Sequence, residues 1–133
     1  MPSSVDDSDL ARCVSASLAH HRSVADGSVS RDDPSLRFPM TVRRAGKTMS
    51  YVTPFEYVDA TRAHRDQVLG VAGVTARASV AGTETWGPSL ILVRGISTRF
   101  DSEERPVSSL GFSHVHVRTE DGWKIIAIIS DDS

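Results

Sequence analysis

The sequence has a single cysteine, Cys13, and only two lysines, Lys47 and Lys124, among its fifteen cationic side chains. One cysteine excludes a disulfide framework and a zinc knuckle, since both need several at set spacings. Long apolar runs are missing too. The longest, Ile125 to Ile129, is far short of the roughly 20 residues that cross a bilayer, so no membrane partner is expected. The segment from Met1 to Asp9 is polar and acidic, which is not the pattern of a signal peptide. The net charge is only −2, and without a basic field no nucleic-acid partner is expected. The basic stretch from Val42 to Lys47 is short and has no interleaved aromatic residues on which bases could stack. No glycine-rich phosphate loop, no Gly-x-Ser-x-Gly elbow and no His-Glu-x-x-His pattern occurs, which argues against nucleotide-dependent chemistry and against serine or zinc hydrolysis. No cofactor is therefore expected, and a cytoplasmic protein is.

What is present suits one soluble domain. The chain has 133 residues, 39% of them hydrophobic and 24% charged, enough to bury a core without staples. The arginines are scattered, as codon usage in a GC-rich genome produces, and their number alone does not mark anion recognition.

Residues 1–7 read as a polar tail and 8–133 as the domain. The spacing of Leu10, Cys13, Val14, Ser17, Leu18 and His21 predicts a helix over about Asp7–Arg22, capped by Asp7 or Ser8. Cys13 lies on its apolar stripe and reads as a small buried hydrophobe. Residues 23–36 carry loop chemistry, with one helical turn expected at Pro34. A strand near Arg37–Arg44, a turn at Ala45-Gly46-Lys47 and a return strand through Tyr51 come next. Thr53-Pro54-Phe55-Glu56 is a strong helix start: Thr as cap, Pro in the first turn, and Glu able to reach back to the cap amide. That helix should run to about Gln67 and break at Gly70 and Gly73. Four strands follow, Val74–Val80, Ser89–Phe100, Val107–Arg118 and Trp123–Ser130, joined by short links that favour an antiparallel meander. Two helices and then a run of strands is an α+β pattern.

His114 and His116 alternate on one strand, so both side chains share a face with Phe112 and Arg118. If the last hairpin pairs residues whose numbers sum to 242, His114 faces Ile128 and His116 faces Ile126. The opposite face then gathers Val115, Val117, Trp123 and Ile125 as core. A slip of one residue would exchange the last strand's faces. Two histidines are too few for a zinc site, but an imidazole in a cavity suits general acid–base work. Structural or surface imidazoles are the plainer reading. Tyr51 and Tyr57 flank the second helix start and could donate to a developing oxyanion, or simply pack with a polar tip. Asp59 and Arg62 read as an ion pair on the helix surface. Arg94 and Arg99 have opposite parity on the long strand, so one faces inwards. Arg94 interrupts an apolar run, and an inward Arg94 could clamp a carboxylate or phenolate. Gly95 beside it predicts a bulge.

The hairpin Arg118-Thr119-Glu120-Asp121-Gly122-Trp123-Lys124-Ile125, the strand end Thr98-Arg99-Phe100-Asp101 and the segment Leu36-Arg37-Phe38-Pro39 resemble the nuclear transport factor 2-like superfamily. That superfamily includes polyketide-cyclase-like (SnoaL-like) and ketosteroid-isomerase-like enzymes. The element order matches over roughly residues 8–130. The segment 23–36 departs from the family, where a fuller second helix is common. The resemblance implies a cone: a strongly curved, mostly antiparallel sheet wrapped around N-terminal helices, with a small-molecule pocket between them. It also implies a homodimer, and the apolar residues on both faces of Leu90–Ile96 fit one through the outer sheet face.

Two functions remain open on these grounds. One is a cofactor-independent proton-transfer enzyme, an isomerase, dehydratase or cyclase on an apolar carbonyl compound. There His114 or His116 would be the base, Tyr51 or Tyr57 the hydrogen-bond donor, and Arg94 and Phe112 would bind substrate. The other is a non-catalytic module that binds an apolar ligand or a protein partner.

Overall fold

The structure is a computed structural model that describes residues 4–70 and 73–130. Residues 1–3 of the expected tail lie outside the described residues, but its last part is ordered into the fold. Val5 packs against Cys13, Ile91 and Val93, and Asp6, not Asp7 or Ser8, caps the first helix, α1 (Asp7–Asp26). Asp6 accepts from the Asp9 amide and Asp9 accepts from the Asp6 amide, so one reciprocal box satisfies two of the helix's unpaired donors. The helix outlasts its expected end by one turn and stops at Gly27, whose φ of 80° is the left-handed cap that favours glycine.

The segment after Gly27 forms turns and no helix at Pro34. It is not a solvent loop throughout, because Val29 is fully buried against Tyr57 and Val58. Strands β1 (Leu36–Arg44) and β2 (Lys47–Tyr51) form the expected hairpin. Helix α2 (Pro54–Leu69) starts at the Thr53 cap, which accepts from the Glu56 amide. The Glu56 carboxylate takes the Thr53 hydroxyl in place of the cap amide. Arg62 donates to the Val29 carbonyl, so it ties α2 to the loop where an ion pair with Asp59 was expected.

Strands β3 (Thr75–Thr85), β4 (Leu90–Phe100), β5 (Pro106–Thr119) and β6 (Gly122–Ser130) form the antiparallel meander. β3 is longer than expected and runs through Gly82. The six strands make one curved, unclosed sheet in the order β2-β1-β6-β5-β4-β3, with β1 and β6 parallel. Both helices cover its inner face. Cys13 of α1 packs on Ile91 and Val93, while Tyr57 and Val58 of α2 pack on Met40, Val42, Ile125 and Ile128.

Two irregularities set which side chains face inwards. The β5–β6 register sums to 242 from Phe112 to Val115, then shifts so that His116 pairs with Ile125 and Arg118 with Trp123. The bulge falls at Ile126. It turns Ile125 and Trp123 onto the histidine face, away from Val115 and Val117, which corrects the expected core. The second bulge is on β3 at Ala81, where Val80 pairs with Gly95 and Gly82 with Arg94. Gly95 therefore marks no bulge in its own strand. It is a close approach: a Cβ there would lie 2.3 Å from Phe112 Cζ.

Candidate functional site

A cavity of ≈ 320 Å³ opens between the inner face of the sheet and the two helices. α1 brings His20, His21 and Val24 to it. α2 brings Tyr57, His64 and Arg65, and the sheet brings Arg99, Phe112, His114 and Ile128. The helical stripe that faces the sheet is Cys13, Ser17 and His20, all buried. Their steps of four and three put a hydroxyl and an imidazole on the same face as the core.

Ser17 joins the two strand histidines. Its Oγ lies 2.8 Å from His116 Nε2 and 3.0 Å from His114 Nδ1. A hydroxyl has one hydrogen and two lone pairs, so Ser17 donates to at most one ring and accepts from at least one. Donating to one and accepting from the other uses its hydrogen within the pair. His116 Nδ1 is buried with no hydrogen-bond partner among the described residues. Buried orphan donors are rarer than under-satisfied acceptors, which places the His116 proton on Nε2, donating to Ser17. Ser17 then donates to His114 Nδ1, and His114 is left with Nε2–H as its free donor at the cavity wall. Burial, and then the neighbouring His20, His116 and His21, hold the His114 pKa well below the usual 6.5. Burial, followed by His20, lowers His116 to about 4. Both rings are neutral at physiological pH, so His114 is a better hydrogen-bond donor than base.

A second chain of contacts starts at the cavity wall, where the His20 ring stands edge-on to His114 with centroids 5.9 Å apart. Tyr57 Oη lies 2.6 Å from His20 Nε2, and His20 Nδ1 lies 3.6 Å from Asp33 Oδ2. The latter is an ion-pair distance, longer than a hydrogen bond, and Nδ1 has no hydrogen-bond partner among the described residues. A proton on Nδ1 faces the carboxylate favourably, whereas a lone pair there would be repelled. His20 Nε2 is then the acceptor and the phenol its donor. The His20 side chain, and then Ser35, hold the Asp33 carboxyl down at about 2, so it is ionised. Burial pushes the Tyr57 phenol up to about 12, opposed by the Arg44 guanidinium. Carboxylate, imidazole and hydroxyl in series form the arrangement that lets an imidazole take a proton and keeps the resulting cation paired.

Of the residues singled out from the sequence, His114, Tyr57 and Phe112 line the cavity. His116 faces the same way but sits behind Ser17, fully buried. Tyr51 stands edge-on to Tyr57, ring centroids 5.9 Å apart, and is not in the cavity wall. Arg94 is placed on the other face. It is exposed and pairs with Glu84 at 3.3 Å; Arg99, of opposite parity, is the arginine in the cavity. His20, Asp33, Arg44 and Arg99 were missed as site residues. His20 follows Cys13 and Ser17 on one helical stripe and was within reach of the periodicity. Asp33 comes from a loop and had no such signal. Cys13 is fully buried and its thiol is pushed up to about 12, chiefly by burial, so it is no nucleophile.

No family model matches the sequence, and no curated protein matches it. Solved structures do match in fold. A Nostoc punctiforme domain of unknown function with a cystatin-like fold superposes with a TM-score of 0.78 at 12% identity, covering 97% of this chain and 80% of its own. A Streptomyces avermitilis protein of the NTF2-like family, proposed to be a dehydratase, gives 0.69 at 14% identity, covering 96% and 97%. A Shewanella frigidimarina protein proposed to be a ketosteroid isomerase gives 0.64 at 17%, covering 88% and 92%. The chain has the nuclear transport factor 2-like, cystatin-like fold that the terminal hairpin resembles.

Proposed function

We propose that this protein is a cofactor-independent proton-transfer enzyme, an isomerase or dehydratase acting on a carbonyl compound with an apolar body. The carrying observation is the Asp33–His20–Tyr57 series, whose imidazole stands edge-on to the neutral His114 in the wall of one cavity. His20 is the base. It takes a proton from the carbon next to the carbonyl through the Tyr57 hydroxyl, which passes its own proton to His20 Nε2 as it receives one. Asp33 stabilises the imidazolium. His114 Nε2–H donates to the carbonyl oxygen as negative charge develops there, held in that tautomer by Ser17. His114 thus takes the donor role assigned from the sequence to a tyrosine, and the base role passes to His20 with Tyr57 as relay, because a strongly depressed imidazole is a poor base. The fold neighbours proposed to be a dehydratase and a ketosteroid isomerase fit this class of reaction. We include in the reading a homodimer through the outer sheet face, supported by the exposed Ile96 and Ile129 there.

The test is deuterium exchange from D2O into a panel of enolisable cyclic ketones and β-hydroxy ketones, followed by NMR. Protein-dependent exchange is expected on at least one. His20→Gln should lower it by about 10²–10⁴, the usual share of a general base. His114→Gln keeps an N–H donor and should lose much less. Loss with His114→Gln but not with His20→Gln would reverse the roles. Ketones that bind without any accelerated exchange would leave a non-catalytic binding module.

A further inference from the structure

We infer that the ligand of this cavity is an organic anion, a carboxylate on an apolar ring system, with Arg99 as its principal anchor and Arg44 in support. The inference rests on the cavity being a small-molecule site, as proposed above, but not on the chemistry proposed for it.

The charge of the wall carries the argument. Three guanidinium groups, from Arg44, Arg65 and Arg99, line the cavity, and no Asp or Glu does so among the described residues. Arg65 is already engaged, with the Ala25 carbonyl at 3.0 Å and Asp66 at 3.4 Å. Arg44 has one hydrogen-bond partner among the described residues, the Thr61 hydroxyl at 3.4 Å, and no carboxylate partner among them. Arg99 has no partner among the described residues. The other arginines on strands β3 to β5 all have one: Arg77 meets Glu104, Arg94 meets Glu84 and Arg118 meets Asp9. A half-buried guanidinium gains most from an oxyanion that can take two of its donors at once. Cationic groups in a low-dielectric cleft also focus the potential for an incoming anion.

The rest of the wall sets the body of the ligand. Leu110, Phe112 and Ile128 stand on the sheet side and Val24, Val68 and Leu69 on the helix side. An apolar lining with a few fixed polar groups is the usual make-up of a ligand pocket, and ≈ 320 Å³ lies at the small end of the usual range. One or two rings with an acid group suit it better than a long chain.

Isothermal titration calorimetry at low salt with 2-naphthoate, 2-naphthamide and methyl 2-naphthoate isolates the charge on one shape. The carboxylate should bind at least about tenfold tighter than the amide or ester, a difference worth roughly 1.4 kcal/mol. Arg99→Gln should abolish that preference while thermal melting shows an intact fold. Arg77→Gln, outside the cavity, should keep it. Equal affinity of acid and amide, a preference that survives Arg99→Gln, or no binding of any of the three would overturn the inference. None of the three has a proton on the carbon next to the carbonyl, so their binding is blind to proton transfer. Carboxylate preference with no ketone exchange leaves this inference standing and removes the catalytic reading. Exchange on neutral ketones with no carboxylate preference does the reverse.

Discussion

Gly95 and Phe112 sit directly opposite each other on β4 and β5, and the Phe112 ring covers the glycine so closely that a Cβ at Gly95 would lie 2.3 Å from its Cζ. The ring is thereby laid flat on the sheet, where it stacks on His21 with centroids 5.5 Å apart and stands 5.0 Å from His114. The floor of the cavity depends on a missing side chain.

Gly95→Ala tests that dependence. The substitution gains about 0.4–1 kcal/mol by stiffening the unfolded chain. Forcing a ring out of a packed site costs about 1–3 kcal/mol, so the variant should be less stable overall. Gly95→Ala with Phe112→Leu should recover part of the loss, because the two residues touch. Urea melts of both variants read this, and an unaltered or raised midpoint for Gly95→Ala alone would contradict it.

Acid should weaken the fold well before its carboxylates protonate. His114 and His116 are buried and depressed, the latter to about 4, against an ordinary 6.5. Below 6.5 the unfolded chain binds protons that the native rings refuse, so stability is full above that pH and falls as pH drops towards 4. The slope is on the order of 1 kcal/mol per pH unit for each ring. Asp33 acts in a separate, lower window, from its ordinary 3.8 down to about 2. Urea melts at pH 7.5, 6 and 5 should show the decline, and His116→Gln should flatten it. Constant stability over that range would show that the rings are not buried neutral.

The outer sheet face should carry a dimer contact. Leu90 is half-buried and Leu92 is buried within the single chain, so these two contribute less than the alternation of the strand implies. Ile96 and Ile129 remain 42% and 39% exposed, on either side of Gly111 and Ser113, the small residues they pair with on β5. Such a patch suits a self-complementary two-fold contact. Light scattering at tens of micromolar should give twice the chain mass, and Ile96→Arg should shift it towards the monomer. A monomer in the unaltered protein would rule the contact out.

The parts that neighbours in sequence decide were legible without the fold. Thr53-Pro54 starts α2 because a cap and a preset φ act within one turn. His114, His116 and Phe112 share a face because strand side chains alternate. The Asp121-Gly122 hairpin joins the last two strands because Gly122, at a φ of 105°, accepts a conformation that other residues resist. The order of helices and strands needed no more than this, and the cone was implied by the resemblance of the last hairpin and two strand segments to a known superfamily.

Other features depend on contacts between distant residues, and local patterns are blind to them. Parity states that one of Arg94 and Arg99 faces inwards; which one follows from the face that α1 and α2 cover. The bulge at Ile126 is a single extra residue, yet it moves Ile125 and Trp123 from one face to the other, since the strand period is two. His20 gains its proposed role from Asp33, thirteen positions on in a loop without periodicity, and from Tyr57 on another helix. The sequence by itself determined the elements and the phase of each. Only the tertiary structure decided which faces meet, because that choice rests on burial summed over the whole sheet and on single bulges that no short-range preference sets.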